Sequence, residues 1–166
     1  MEYRKNDIVT LEIVDCGTDG EGIGKADGFT VFVKDAVIGD TVTAKIMKAK
    51  KNYGYGRLME ILNASPYRVE PVCPSARQCG GCQLQAVSYE EQKVFKEKKL
   101  RGHLERIGGF TNLPMEPLIG MDEPYHYRNK AQFPVGRNKE GKIVTGFYAG
   151  RTHAIIENRD CALGIP

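Results

Sequence analysis

Three cysteines crowd into ten residues of this 166-residue chain, Cys73-Pro74-Ser75-Ala76-Arg77-Gln78-Cys79-Gly80-Gly81-Cys82. Thiols at this spacing are ligands for a soft metal centre, because the turn within a Cys-x-x-Cys pair directs both sulfurs to one point. Gly80 and Gly81 suit that turn: without a Cβ the backbone bends tightly and lays N–H groups against a bound sulfur. A tetrahedral centre needs a fourth ligand, and the other cysteines are Cys16 and Cys161. The plainer alternative is a group of buried free thiols, or one disulfide with a spare. The polar, glycine-rich setting argues against it. Spacing alone leaves iron–sulfur and zinc, and Cys161 and Cys16, undecided.

A second stretch has the chemistry of a polyanion site. Between Asp40 and Glu60 there is no acid, while Lys45, Lys48, Lys50, Lys51 and Arg57 supply positive charge. Lysines reach phosphates, Tyr53 and Tyr55 are placed to stack on unpaired bases, and the glycines between them let a nucleic acid approach the backbone. A solvated hairpin tip is the bland reading of such a run. The interleaving of basic and aromatic side chains argues instead for RNA or DNA contact through Lys48, Lys50, Lys51, Tyr53 and Arg57. A further candidate lies in Tyr127 to Val135, where a strand would set Arg128, Lys130 and Gln132 on one face. Two cations and an amide in a row suit phosphates and bases; a plain solvent-facing strand is the alternative.

The elements that must position these groups are mostly short strands. Asp7 to Cys16 reads as a strand with Val9, Leu11 and Ile13 on one face. Gly17 to Gly28 reads as a turn-rich connection, lacking the Gly-Lys-Ser/Thr ending of a P-loop and the strand-to-helix context of a dinucleotide fingerprint. Phe29 to Val33, Thr41 to Met47 and Gly56 to Leu62 are further strands, with Val42, Ala44 and Ile46 directed inward. Strands of this density, with glycine-rich turns and no helix, predict a small closed barrel of the oligonucleotide-binding kind. Asn63 to Val72 reads as a linker. Ser88-Tyr-Glu-Glu91 is a capping box opening a helix, with Leu100, Leu104 and Ile107 at i, i+4 and i+7 and Gly108-Gly109 at its end. Tyr127 to Val135, Ile143 to Ala149 and Thr152 to Asn158 then predict an antiparallel meander. The expected divisions are 1–62, 63–112 and 113–166.

Charged residues make up 27% and apolar residues 41%, with no apolar run long enough to span a bilayer. Met1-Glu2-Tyr3-Arg4-Lys5 leads into a strand with no signal-peptide core, so the five cysteines are read in a reducing cytoplasm.

Taken together, Cys73-Pro-x4-Cys79-Gly-Gly-Cys82-x-x-Gln85, the helix after it, Tyr125-His-Tyr-Arg-Asn-Lys130 and the late Cys161 resemble the RNA uracil-5-methyltransferase family. The resemblance is to its 23S ribosomal RNA branch, in which a TRAM domain precedes an iron–sulfur loop. It covers the whole chain and implies an OB-like five-stranded TRAM barrel over the first 62 residues. It also implies a [4Fe–4S] cluster on Cys73, Cys79, Cys82 and Cys161, with large-subunit ribosomal RNA as partner. A monomeric, cytoplasmic protein is expected. Members of the family continue into a doubly wound S-adenosylmethionine-binding domain carrying the nucleophilic cysteine and general base. No stretch here resembles it, so no catalytic residue is assigned and the expectation is an N-terminal portion, inactive alone. Cys16, beside Asp15, has no neighbouring cation or histidine in sequence to activate it. The competing expectation is a stand-alone RNA-binding module with structural zinc. An electron-transfer protein is a weaker third reading, lacking any flavin or partner motif.

Overall fold

The computed structural model describes residues 3–158 and 160–165. The chain divides into two compact units, Met1–Glu70 and Pro71–Pro166. The class expected from sequence holds: a closed five-stranded barrel, one helix and a three-stranded antiparallel sheet.

In the first unit β1 (Ile8–Cys16), β2 (Gly22–Ala26), β3 (Phe29–Lys34), β4 (Thr41–Ala49) and β5 (Tyr53–Asn63) close in the order β1-β2-β3-β5-β4. All neighbours are antiparallel except β3 and β5, which run parallel. Period-two alternation puts Val9, Leu11 and Ile13, then Val31 and Val33, then Val42, Ala44 and Ile46 into one core. The segment expected as a turn-rich connection contains a strand, β2. Its glycines are there for packing: a Cβ on Gly22 would sit 2.8 Å from the Ala36 carbonyl and on Gly24 2.7 Å from the Glu12 carbonyl. Glycine-rich sequence at a barrel wall imitates a loop because both break the apolar alternation.

Asn63 to Val72 was expected as linker, yet its first part packs on the barrel. Buried Asp40 accepts from the Val37 N–H at 2.7 Å and the Ser65 N–H at 2.9 Å. Arg68 grips the same carboxylate with Nε at 3.1 Å and Nη2 at 2.5 Å, and also donates to the Asp35 carbonyl at 2.9 Å. Burial alone would raise the Asp40 pKa, but the Arg68 guanidinium and the two backbone N–H groups outweigh it and hold the carboxyl below the ordinary carboxylate value.

The second unit contains α1 (Tyr89–Arg106), β6 (Val135–Arg137), β7 (Ile143–Tyr148) and β8 (Ile155–Glu157). Ser88 caps the helix, its Oγ accepting from the Glu91 N–H at 3.4 Å. The expected apolar stripe is not a buried face. Leu100 and Ile107 are exposed, and the one buried helix residue is Glu91. Polar groups tie the helix to the chain around it: Gln92 Nε2 donates to the Leu84 and Val87 carbonyls, and Tyr89 Oη and Glu97 accept from the Met121 and Leu118 N–H groups.

The meander is present but its first strand is displaced. β6 starts at Val135 and pairs with β7 in the register Gly136↔Val144, and β7 pairs with β8 at Phe147↔Ile156. The run before it, Tyr127 to Pro134, makes one isolated parallel bridge, Arg128↔Gly164. Pro134 removes a ladder donor there, and the chain behind Cys161 takes up the backbone instead.

Candidate metal centre and nucleic-acid face

The cysteine loop docks on the end of β7. Cys79 bridges Ala149, and the Gly80 N–H donates to the Tyr148 carbonyl at 2.8 Å. A Cβ on Gly80 would lie 2.7 Å from that same oxygen, so close backbone approach requires glycine at this point. The next residue turns its N–H to sulfur: Gly81 donates to Cys79 Sγ at 3.4 Å, the contact expected of the Gly-Gly turn. Cys161 comes from the far end of the chain. Its segment is held by the His126 N–H on the Ala162 carbonyl at 3.0 Å, the Arg128 N–H on the Leu163 carbonyl at 2.8 Å and the Ile165 N–H on the Arg128 carbonyl at 3.1 Å.

The result is one cavity lined by Cys73, Cys79, Cys82 and Cys161, with Phe147, Ala162 and Leu163 among its apolar walls. Cys16 lies in the other unit, at the end of β1, with its thiol toward the Gly17 carbonyl at 3.5 Å. Spacing alone singled out Cys73, Cys79 and Cys82; Gln85 stood in the same motif with no role assigned to it. Its buried carboxamide accepts from the Cys73 N–H at 3.1 Å and hydrogen-bonds the Cys82 thiol, tying two of the four cysteines together. Burial pushes the Cys82 pKa up and the neighbouring Cys79, Cys161 and Cys73 sulfurs push it the same way, against the pull of Gln85.

The donor set fits a soft metal centre: four thiols line a largely apolar cavity, and the Gly81 N–H is turned to the Cys79 sulfur. Thiolates of this kind hold zinc or an iron–sulfur cluster.

On the barrel, the basic and aromatic residues occupy the outer face of β3, β4 and β5. Tyr53, Tyr55 and Arg57 alternate outward, opposite Thr30, Phe32 and Lys34 of β3. Lys48 pairs with Tyr55 beside a bulge in β4, and Lys50 and Lys51 lie in the exposed turn between β4 and β5. Tyr53, Tyr55 and Phe32 form a cluster of rings with centroids 5.6–5.9 Å apart. Phe32 was not among the expected contacts, although the alternation Phe29 to Lys34 already directs it outward. The glycines were misread. Gly54 and Gly56 point into the barrel, where a Cβ would come within 3.0 Å of the Phe29 ring and of Val31.

The other candidate face does not form. Arg128, Lys130 and Gln132 do not lie on a continuous strand; Arg128 is half-buried and lines the cysteine cavity, while Lys130 and Gln132 are exposed. Among the described residues no helix is long and apolar enough to cross a membrane.

Residues 4–59 match the TRAM domain family. An uncharacterized RNA methyltransferase of Halalkalibacterium halodurans is 48% identical over 160 residues, covering 96% of this chain and 35% of that protein. One from Clostridium tetani is 48% identical over 161 residues, covering 97% of this chain and 35% of the relative. The chain thus spans about a third of the length of these curated relatives. Among solved structures, the crystal structure of Pyrococcus abyssi tRNA (uracil-54, C5)-methyltransferase with S-adenosyl-L-homocysteine shares the fold. Its TM-score is 0.57 at 23% identity, over 94% of this chain and 33% of that one.

Proposed function

We propose that this chain is the RNA-gripping, iron–sulfur part of an S-adenosylmethionine-dependent RNA (uracil-C5)-methyltransferase acting on 23S ribosomal RNA, a cytoplasmic monomer. The observation that carries it is the convergence of Cys73, Cys79, Cys82 and Cys161, 79 positions apart at the widest gap, on one cavity. The TRAM match over the barrel and the RNA methyltransferase relatives along the chain support the RNA side.

In this reading Lys48, Lys50, Lys51 and Arg57 neutralise phosphates, and Tyr53 with its ring neighbours stacks on unpaired bases. Lys130 and Gln132 are secondary contacts. Methylation at C5 requires a thiolate to add to C6, so that C5 attacks the sulfonium methyl, and a base to take the C5 proton. We assign the thiolate, the base and the methyl-donor site to the part of the relatives that this chain does not match. Cys73, Cys79, Cys82 and Cys161 would hold the cluster; when bound, it supplies a redox-active cross-link between the cysteine loop and the segment after β8.

Purification without oxygen, followed by iron, sulfide and zinc analysis and a visible spectrum, tests the centre. About four irons and four sulfides per chain are expected, falling sharply in Cys161→Ser and unchanged in Cys16→Ser. A colourless protein with one zinc per chain, or a Cys161→Ser variant with wild-type iron and spectrum, would overturn the assignment.

A further inference from the structure

Arg128 stands apart from Lys130 and Gln132, the residues expected beside it as RNA contacts, because it lines the cysteine cavity. Among the described residues it is the one cationic residue lining the cysteine cavity, and none of the described lining residues is acidic. Its backbone is fastened on both sides, N–H to the Leu163 carbonyl at 2.8 Å and carbonyl to the Ile165 N–H at 3.1 Å, within four residues of Cys161. Arg128 is half-buried, whereas Asn129 and Lys130 next to it are exposed. The same short segment pins the Cys161 turn through His126, whose N–H and ring Nδ1 reach the Ala162 and Gly164 carbonyls, each at 3.0 Å. No ion pair to a carboxylate is formed by Arg128 among the described contacts.

We infer that Arg128 is the built-in countercharge of the four-thiolate centre, a positioning residue that sets how readily the bound group is kept and reduced. The inference rests on the four-cysteine centre proposed above. Four thiolates carry four negative charges; a [4Fe–4S] core of charge +2, like a zinc ion, leaves the whole group doubly anionic. In a largely apolar cavity such charge is costly unless a cation or N–H donors face it. Gly81 supplies a donor to Cys79 and Gln85 one to Cys82, but neither is charged. An arginine keeps its charge at any working pH, which a lysine in a half-buried position does less reliably. One-electron reduction makes the group trianionic, so a fixed cation stabilises the reduced form more than the oxidised one. Removing it lowers the reduction potential.

The experiment uses the whole chain, purified without oxygen, as wild type, Arg128→Met, Arg128→Lys and Lys130→Met. Iron and sulfide content is measured first, then the midpoint potential by electron paramagnetic resonance during a redox titration. Arg128→Met is expected to titrate at a clearly lower potential and to lose iron to a chelator several-fold faster. Arg128→Lys should keep a potential near wild type, and Lys130→Met should match wild type in both respects. A wild-type potential in Arg128→Met, or an equal shift in Lys130→Met, overturns the inference while leaving the cluster in place. Loss of metal and altered circular dichroism in both Arg128 variants would mark a merely structural role and also overturn it. Protein that takes up zinc instead of iron and sulfide sinks the cluster reading separately. The rate of zinc loss to ethylenediaminetetraacetate then decides Arg128: faster in Arg128→Met alone supports the countercharge, and equal rates in all four proteins refute it.

Discussion

Asp40 shows how one buried carboxylate can settle where a domain ends. Fully buried, it gathers two backbone N–H groups and both forks of Arg68, which closes the chain after β5 onto the barrel. Removing one partner of a buried pair costs about 3–5 kcal/mol; Arg68 keeps a fifth of its side chain in water, which places Asp40→Asn at the lower end of that range. The sign of the pH dependence follows from the depressed Asp40 pKa. A carboxyl held below its unfolded value stabilises the fold above that value, about 3.9, and the contribution is lost as pH falls through the folded value. Urea denaturation is expected to show the wild type well ahead of Asp40→Asn at pH 7, with the gap closing below about pH 4. A gap that stays constant on acidification would mean the ion pair is not its source.

At the scale of elements, the alternation of β5 sorts one sequence onto two faces. Tyr53, Tyr55 and Arg57 face outward while Gly54 and Gly56 face the core, so the glycines serve packing and the outward row is left for the proposed contact. The expected RNA surface is therefore a strand face with its adjoining turn rather than a flexible tip. Affinity for single-stranded RNA falls with salt at a log–log slope of about 0.7 per neutralised phosphate. Changing Lys50 and Lys51 together to Ala should weaken binding and flatten that slope by about one unit. Tyr53→Ala should weaken binding at every salt concentration, by about 1–3 kcal/mol for one lost stacking contact, and leave the slope unchanged. Fluorescence anisotropy with a labelled uridine-rich oligonucleotide across a salt series measures both. An unaltered slope in the lysine variant would move the RNA surface elsewhere.

At the scale of the molecule, the two units draw their order from different sources. The barrel has its own aliphatic core, while among the described residues the second unit buries Cys73, Val144 and Ala162, and Cys73 and Ala162 line its cysteine cavity. A group bound to all four cysteines would close the long chain loop between Cys82 and Cys161, and that closure adds to the stability of the folded form alone. Stripping metal with a chelator is expected to speed amide exchange in β7, β8 and the 73–82 loop, and to leave the protected strands β1 and β4 unchanged. Equal loosening of the barrel would refute separate support. For activity, the chain incubated with labelled S-adenosylmethionine and unmodified large-subunit ribosomal RNA should transfer no methyl group. Label at C5 of a uridine, lost in Cys16→Ala, would make Cys16 the nucleophile and end the reading of this chain as the binding part of the enzyme.

Local rules made the barrel legible in sequence. Period-two alternation named Val9, Leu11, Ile13, Val42, Ala44 and Ile46 as core, and Ser88 with Glu91 marked the helix start, because these signals act between residues a few positions apart. The three clustered cysteines stood out as a candidate ligand loop for the same reason. Other features depended on partners remote in the chain. β2 hid behind glycines whose reason is a carbonyl across the barrel wall, and the stripe at Leu100 and Ile107 had helical spacing without a surface to cover it among the described residues. Arg128 looked like one of three contacts on a strand face until backbone bonds to Leu163 and Ile165 drew it beside the cysteines. Spacing left Cys16 and Cys161 equal as fourth ligand, since sequence distance does not measure distance in space. The fold brought Cys161 to the cavity and kept Cys16 at the end of β1, because pairing between distant backbone segments, invisible in either segment alone, decides which side chains meet.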